Sequence, residues 1–118
     1  MPTETLRAKQ ARFMRSLARL IDYAFSAGYE LTGGELYRTP EQAAINARSG
    51  AGIANSLHTQ RLAIDLMLFK DGVYLTNSLD YEPLGVFWES LGTDYAWGGR
   101  FRPKIDGNHF SLMHNGVR

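Results

Sequence analysis

The sequence predicts an α+β fold, a small and mostly antiparallel sheet packed with about three helices. Three observations carry this. Apolar residues recur at three- and four-residue steps near residues 5–27 and again at 80–91. Between them, Thr39-Pro40-Glu41-Gln42 has the form of a helix start. The apolar run 63–69 is followed by Lys70-Asp71-Gly72 and a second short run, as in a hairpin. No repeat, low-complexity tract or linker divides the 118 residues, so residues 1–118 read as a single domain.

Each element has a local reason. In the first helix, about Thr5 to Ala27, the expected apolar side is Leu6, Phe13, Met14, Leu17, Leu20, Ile21, Ala24 and Phe25, with Arg7, Lys9, Arg12, Arg15 and Arg19 mainly between them. Gly28 closes it by tolerating a left-handed backbone. The basic side reads as a solvated face, with a membrane-surface or polymer-binding helix as the alternative. Tyr29 to Thr32 reads as a strand running into a Gly33-Gly34 turn. Thr39 caps a second helix reaching about Ala47, which Ser49-Gly50-Ala51-Gly52 ends. Ala63 to Phe69 is a buried strand and Val73 to Thr76 its return. Asp80 to Leu91 is the third helix, with Leu84, Phe87, Trp88 and Leu91 on one side and Pro83 tolerated in the first turn. Asn108 to His114 is a last short strand, preceded by a loop rich in Gly and Trp.

Composition narrows the chemistry. Thirteen basic and 12 acidic residues leave a net charge of +1, which argues against nucleic-acid binding. No cysteine is present, excluding disulfide scaffolds, Cys-zinc fingers, iron–sulfur sites and thiol nucleophiles. No apolar run reaches the roughly 18–20 residues that span a bilayer, so no membrane insertion is expected. Met1-Pro2-Thr3-Glu4-Thr5 lacks the order of a secretory signal. The expectation is synthesis as a soluble protein in the cytoplasm.

Asp65 is the most informative residue. It interrupts Ala63-Ile64-Asp65-Leu66-Met67-Leu68-Phe69, where an unpaired buried carboxylate costs several kcal/mol. Its partner must be a metal, an arginine or a set of hydrogen-bond donors. His58 precedes the strand, and Asp106-Gly107-Asn108-His109 opens the last one. A catalytic zinc needs three protein ligands and an open position. His58, Asp65 and His109 would supply two imidazoles and a carboxylate, leaving Asp106 for the proton of the attacking water.

Ser56-x-His58-x6-Asp65, Trp97-Gly98-Gly99-x-Phe101 and Asp106-x-x-His109-Phe110 occur in that order. Together they resemble the zinc peptidoglycan peptidases, which include VanY-type D-Ala-D-Ala carboxypeptidases and phage L-alanyl-D-glutamate endopeptidases. The similarity runs from about Tyr37 to Met113. It implies a Hedgehog/DD-peptidase-like fold and one zinc on His58, Asp65 and His109, with Asp106 as the catalytic carboxylate. Arg38 would polarise the scissile carbonyl or clamp a carboxylate, or else serve only as an ion-pair partner near a helix start. Gln42 and Ser56 would face or position the substrate, and Trp97 is either a cleft wall touching the peptide or a packed turn. Arg61 stands where many members have glycine, so the strand entry or cleft rim is expected to differ. His114 shares a strand face with Phe110 and Leu112 and is left out of the ligand set.

The resemblance implies hydrolysis of an amide bond in the peptidoglycan stem peptide; a monomer is expected, and the short length leaves room for no separate wall-binding domain. A phage-type endolysin cleaving L-alanyl-D-glutamate is the favoured form, reaching the wall after membrane permeabilisation. A D-Ala-D-Ala carboxypeptidase and a non-catalytic zinc-bearing binding domain are the alternatives.

Overall fold

The structure is a computed structural model that describes residues 3–118. The chain runs α1 (Leu6–Ser26), β1 (Glu30–Gly33), α2 (Pro40–Ser49), β2 (Ala63–Lys70), β3 (Val73–Leu75), α3 (Glu82–Glu89), β4 (Tyr95–Trp97) and β5 (His109–Leu112). Short 3-10 turns at Leu57–Gln60, Ser78–Tyr81 and Gly98–Arg100 lead into β2, α3 and the loop before β5. This is the expected α+β class, with three helices against a five-stranded sheet.

Strand β2 organises the sheet. Its C-terminal half pairs with β1 and β3, and its first residues pair with β5, all antiparallel. β4 extends the sheet beyond β5, giving the order β1-β2-β5-β4. The β2–β5 register sets Asp65 opposite His109, so two residues far apart in sequence become cross-strand neighbours.

Helices α1 and α3 close the core over the sheet. Trp88 is fully buried, with edge-on contacts to the rings of Phe13, Tyr95 and Phe110 at 5.7, 5.0 and 6.2 Å. Its indole donates to the Ser111 carbonyl at 3.0 Å, so the polar atom of a core tryptophan is satisfied. Thr5 caps α1 by accepting from the Ala8 amide at 3.1 Å, and Gly28 ends it at φ +92°.

The apolar side of α1 is narrower than its sequence predicts. Phe13, Leu17, Leu20 and Ala24 are buried, whereas Leu6, Met14, Ile21 and Phe25 are exposed. A helix lying on a core covers one stripe roughly 100° wide, and Met14, Ile21 and Phe25 fall outside it. Ser16 lies inside the stripe and shares a 2.6 Å hydrogen bond with the Tyr95 hydroxyl.

Other boundaries differ for local reasons. β4 lies where the sequence reads as the start of a loop, because Tyr95, Ala96 and Trp97 are all buried and show no alternation. Asp80 and Tyr81 belong to a 3-10 turn, so α3 begins at Glu82. β5 stops at Leu112. His114 instead bridges to Val117 around Asn115 and Gly116, both at positive φ, which turns the chain before the strand can continue.

Candidate metal centre

His58 is positioned by the residues around it. Ser56 caps the turn, its hydroxyl accepting from the His58 amide at 3.2 Å. The Arg38 amide donates to the His58 carbonyl at 3.1 Å. The ring is buried, with Nδ1 3.4 Å from the Leu36 carbonyl. A proton on Nδ1 satisfies that carbonyl and leaves the Nε2 lone pair facing Asp65.

Asp65 is fixed by its backbone. Its amide donates to the Glu35 carbonyl at 3.0 Å, and its carbonyl accepts from Gly34 at 2.8 Å. Its Oδ1 is 3.5 Å from His58 Nε2 and 3.6 Å from His109 Nδ1, outside ordinary hydrogen-bond lengths. That oxygen is buried without a hydrogen-bond partner. Burial works against ionisation of Asp65, but the contacts to His109 and His58 outweigh it and hold the carboxyl well below the usual carboxylate range.

The three groups fit a metal ion. Each offers one ligand atom, and these atoms all lie within 4.8 Å of one another. Tetrahedral ligands at about 2.0–2.1 Å from zinc stand roughly 3.3–3.5 Å apart, close to the separations from Asp65. A cation between them would also satisfy the orphaned Asp65 oxygen, which neither histidine approaches closely enough to do.

Asp106 sits beside this cluster, its Oδ2 3.9 Å from His109 Nδ1 and its side chain half exposed. Burial of the remainder pushes its carboxyl up, with His109 opposing and nearby Asp65 adding to the shift. Its loop is pinned at several points. The Asp106 amide donates to the Gly98 carbonyl at 2.9 Å, and the His109 amide donates to the Asp106 carbonyl at 3.0 Å. A Cβ on Gly98 would lie 1.9 Å from that Asp106 carbonyl, so only glycine permits the approach.

The remaining expected site residues fall in several places. Arg38 lines the same cavity of about 370 Å³ as His58, Asp65, Asp106 and His109. Its Nη2 pairs with Glu35, its Nη1 is 3.4 Å from the Ser56 hydroxyl, and its Nε is buried without a partner. Ser56 also lines the cavity, where its hydroxyl joins Arg38 to the His58 turn. Gln42 lies on the exposed side of α2, where its side chain donates to Asn46 at 2.7 Å. Trp97 is 2% exposed and donates to the Gly107 carbonyl at 2.7 Å, holding the Asp106 loop from beneath. His114 stands away from the cavity with Nδ1 3.3 Å from Lys9 Nζ.

Glu35 is the residue that sequence reasoning passes over. Its Oε1 is 3.8 Å from His58 Nδ1 and also pairs with Arg38, so one carboxylate touches two site residues. The only signal is its place three residues before Arg38. Arg61 is explained by its backbone. It takes the left-handed conformation at φ 56°, ψ 37° and caps the turn carrying His58, while its guanidinium lies 4.0 Å from the Tyr37 ring centroid. A position needing positive φ suits glycine, and here arginine occupies it.

Two imidazoles and a carboxylate converging in a cleft, with a second carboxylate alongside, define a metallopeptidase class of site. Residues 49–112 match the family described as D-alanyl-D-alanine carboxypeptidase (peptidase M15), and the chain belongs to it. No curated protein sequence matches the chain. The fold is similar to the crystal structure of Serratia marcescens L-Ala D-Glu endopeptidase ChiX, with a TM-score of 0.74 and 22% identity, covering 93% of this chain and 84% of that one. It is also similar to the zinc complex of an E175A mutant of the vancomycin resistance D,D-pentapeptidase VanY from a VanB-type cassette. There the TM-score is 0.57 at 20% identity, covering 87% of this chain and 71% of that one. No helix among the described residues is long and apolar enough to cross a membrane.

Proposed function

We propose that the chain is a zinc peptidase acting on the stem peptide of peptidoglycan, with the L-alanyl-D-glutamate bond as its target. The carrying observation is the convergence of His58, Asp65 and His109 on one point in a cleft, beside Asp106. A zinc ion on the three residues supplies Lewis acidity that activates water near neutral pH.

The protein's own groups complete the chemistry. The Leu36 carbonyl keeps His58 in the ligating tautomer. Asp106, beside the three convergent groups, accepts the proton of the attacking water and returns it to the leaving amine. Arg38 donates to the oxygen on which negative charge develops, a role supported by its place in the lining of the same cavity. Ser56 acts as a positioning residue for His58 and Arg38.

The choice of bond draws support from the likeness to ChiX, which is the fuller of the two in coverage and TM-score. The family description favours a second reading, removal of a terminal D-alanine. A lytic role of the phage endolysin kind rests on the likeness of the ordered motifs to phage endopeptidases. Mass spectrometry of muropeptides digested with the zinc-loaded protein tests all of this. New amino-terminal glutamate supports the endopeptidase, and released alanine supports the carboxypeptidase. An unaltered digest overturns both, and failure to lyse permeabilised Gram-negative cells overturns the lytic role.

A further inference from the structure

A second cavity, of about 520 Å³, adjoins the catalytic cleft and shares Gly52, Ile53, Phe101, Lys104 and Arg118 with it. Phe101 joins the two spaces. Its ring is 5.3 Å from the His109 ring, and the Arg118 guanidinium lies 4.6 Å from its centroid. Among the described residues, the charged side chains lining this annex are Arg102, Lys104 and Arg118, with no acidic side chain.

The lining is thus of one sign in a chain whose net charge is +1. Arg12, Arg38 and Arg100 pair with carboxylates, and most of the other described basic residues do not. Among the described residues, none of the three annex cations has a carboxylate partner. Lys104 donates to the Gly50 carbonyl at 2.6 Å, which anchors its ammonium and leaves two further N–H donors. Arg102 donates through Nη1 to the Gly99 and Phe101 carbonyls. Cations tethered by backbone carbonyls keep their charge available to an incoming anion.

We propose that this annex is a substrate subsite in which Lys104 and Arg118 accept a carboxylate on the residue that follows the cleaved bond. The proposal rests on the peptidase reading above. A glutamate acylated at its amine and extended through one carboxyl keeps the other free, and a terminal alanine keeps its only one. Either target bond therefore presents a carboxylate on the leaving side. The annex selects for it through charge-assisted hydrogen bonds, and its effect falls on substrate binding.

The test uses two stem peptides, identical except that this carboxylate is free in one and amidated in the other. With zinc-loaded wild-type protein, kcat/KM for the acid should exceed that for the amide about tenfold, mainly through KM, since each tenfold is about 1.4 kcal/mol. In the Lys104→Gln/Arg118→Gln variant the preference should fall below about twofold, whereas Lys104→Arg should retain it. Both side chains are exposed, so melting temperatures serve as the control for folding. Equal turnover of the two peptides by the wild type, or an undiminished preference in the double variant, overturns the subsite. If neither peptide is cleaved, the peptidase reading fails instead. Calorimetric binding of the same pair then decides the annex: tighter binding of the acid supports it and equal affinity overturns it.

Discussion

Asp65 and His109 stand opposite one another across the β2–β5 pair, with Asp65 Oδ1 3.6 Å from His109 Nδ1. The sheet register, rather than a loop, fixes this separation, and His58 approaches the same oxygen at 3.5 Å from the turn before β2. Two ligands on paired strands are held more rigidly than two on loops, which suits a site that must present a fixed geometry to an ion.

Metal and fold should therefore be coupled. Adding zinc to chelator-treated protein should raise its melting temperature, by a stabilisation of about 4 kcal/mol at a thousandfold excess over Kd. His58→Ala should melt lower and show little zinc-dependent shift, because Asp65 loses one of the contacts that offset its burial. Thermal scans of both proteins with and without zinc make the comparison. A full shift in the variant would remove His58 from the ligand set.

Asp106→Asn separates binding of metal from catalysis. Asp106 stands beyond the three convergent ligand atoms, so the variant should keep its zinc. Its kcat should fall about 10²–10⁴-fold, the usual range for loss of a general base. Turnover within a few-fold of wild type would end the proton-transfer role.

Arg61 carries a backbone prediction. In its left-handed conformation a β-branched residue is strained more than arginine, so Arg61→Val should be the least stable of the series. Arg61→Gly and Arg61→Asn tolerate that backbone and should stay within about 0.5 kcal/mol of wild type. Denaturant melts rank the series, and a valine variant as stable as glycine would contradict the strain.

The pH dependence of stability has a nameable source in Arg12, which pairs with Glu4 at 2.9 Å and Asp94 at 2.7 Å. Its hydrogen bonds lower both carboxyls, outweighing what burial adds back. A carboxyl depressed in the folded state stabilises above its unfolded value and loses that contribution as pH falls through its folded one. These side chains are about a third exposed, so Arg12→Gln should cost only about 1 kcal/mol at pH 7. The difference should shrink as pH drops below about 4. A pH-independent difference in melting temperature would place the effect in packing over Tyr95, whose ring centroid is 5.5 Å from the guanidinium.

Much of the site can be read from sequence because a carboxylate in an apolar strand is a local contradiction that demands a partner. Asp65 raises that question, and His58 and His109 answer it by being the histidines nearest a strand entry and a strand start. Glu35 is hidden because its contacts to Arg38 and His58 depend on how β1 leads past β2. Trp97 looks equally suited to cleft or core, and only the sheet shows that β4 buries it under the Asp106 loop. The periodicity of α1 identifies a helix, but the sheet and α3 decide which of its apolar residues are covered. Met14 and Phe25 are not.

Hydrolysis by this site requires one ion held by His58, Asp65 and His109. The most direct measurement is zinc per chain, by elemental analysis after dialysis, for the wild type and for Asp65→Asn and His109→Ala, with peptidoglycan digestion by the same samples. About one zinc in the wild type, with loss of both metal and digestion in the variants, is the predicted result. Digestion by zinc-free wild type, or full zinc in either variant, would contradict it.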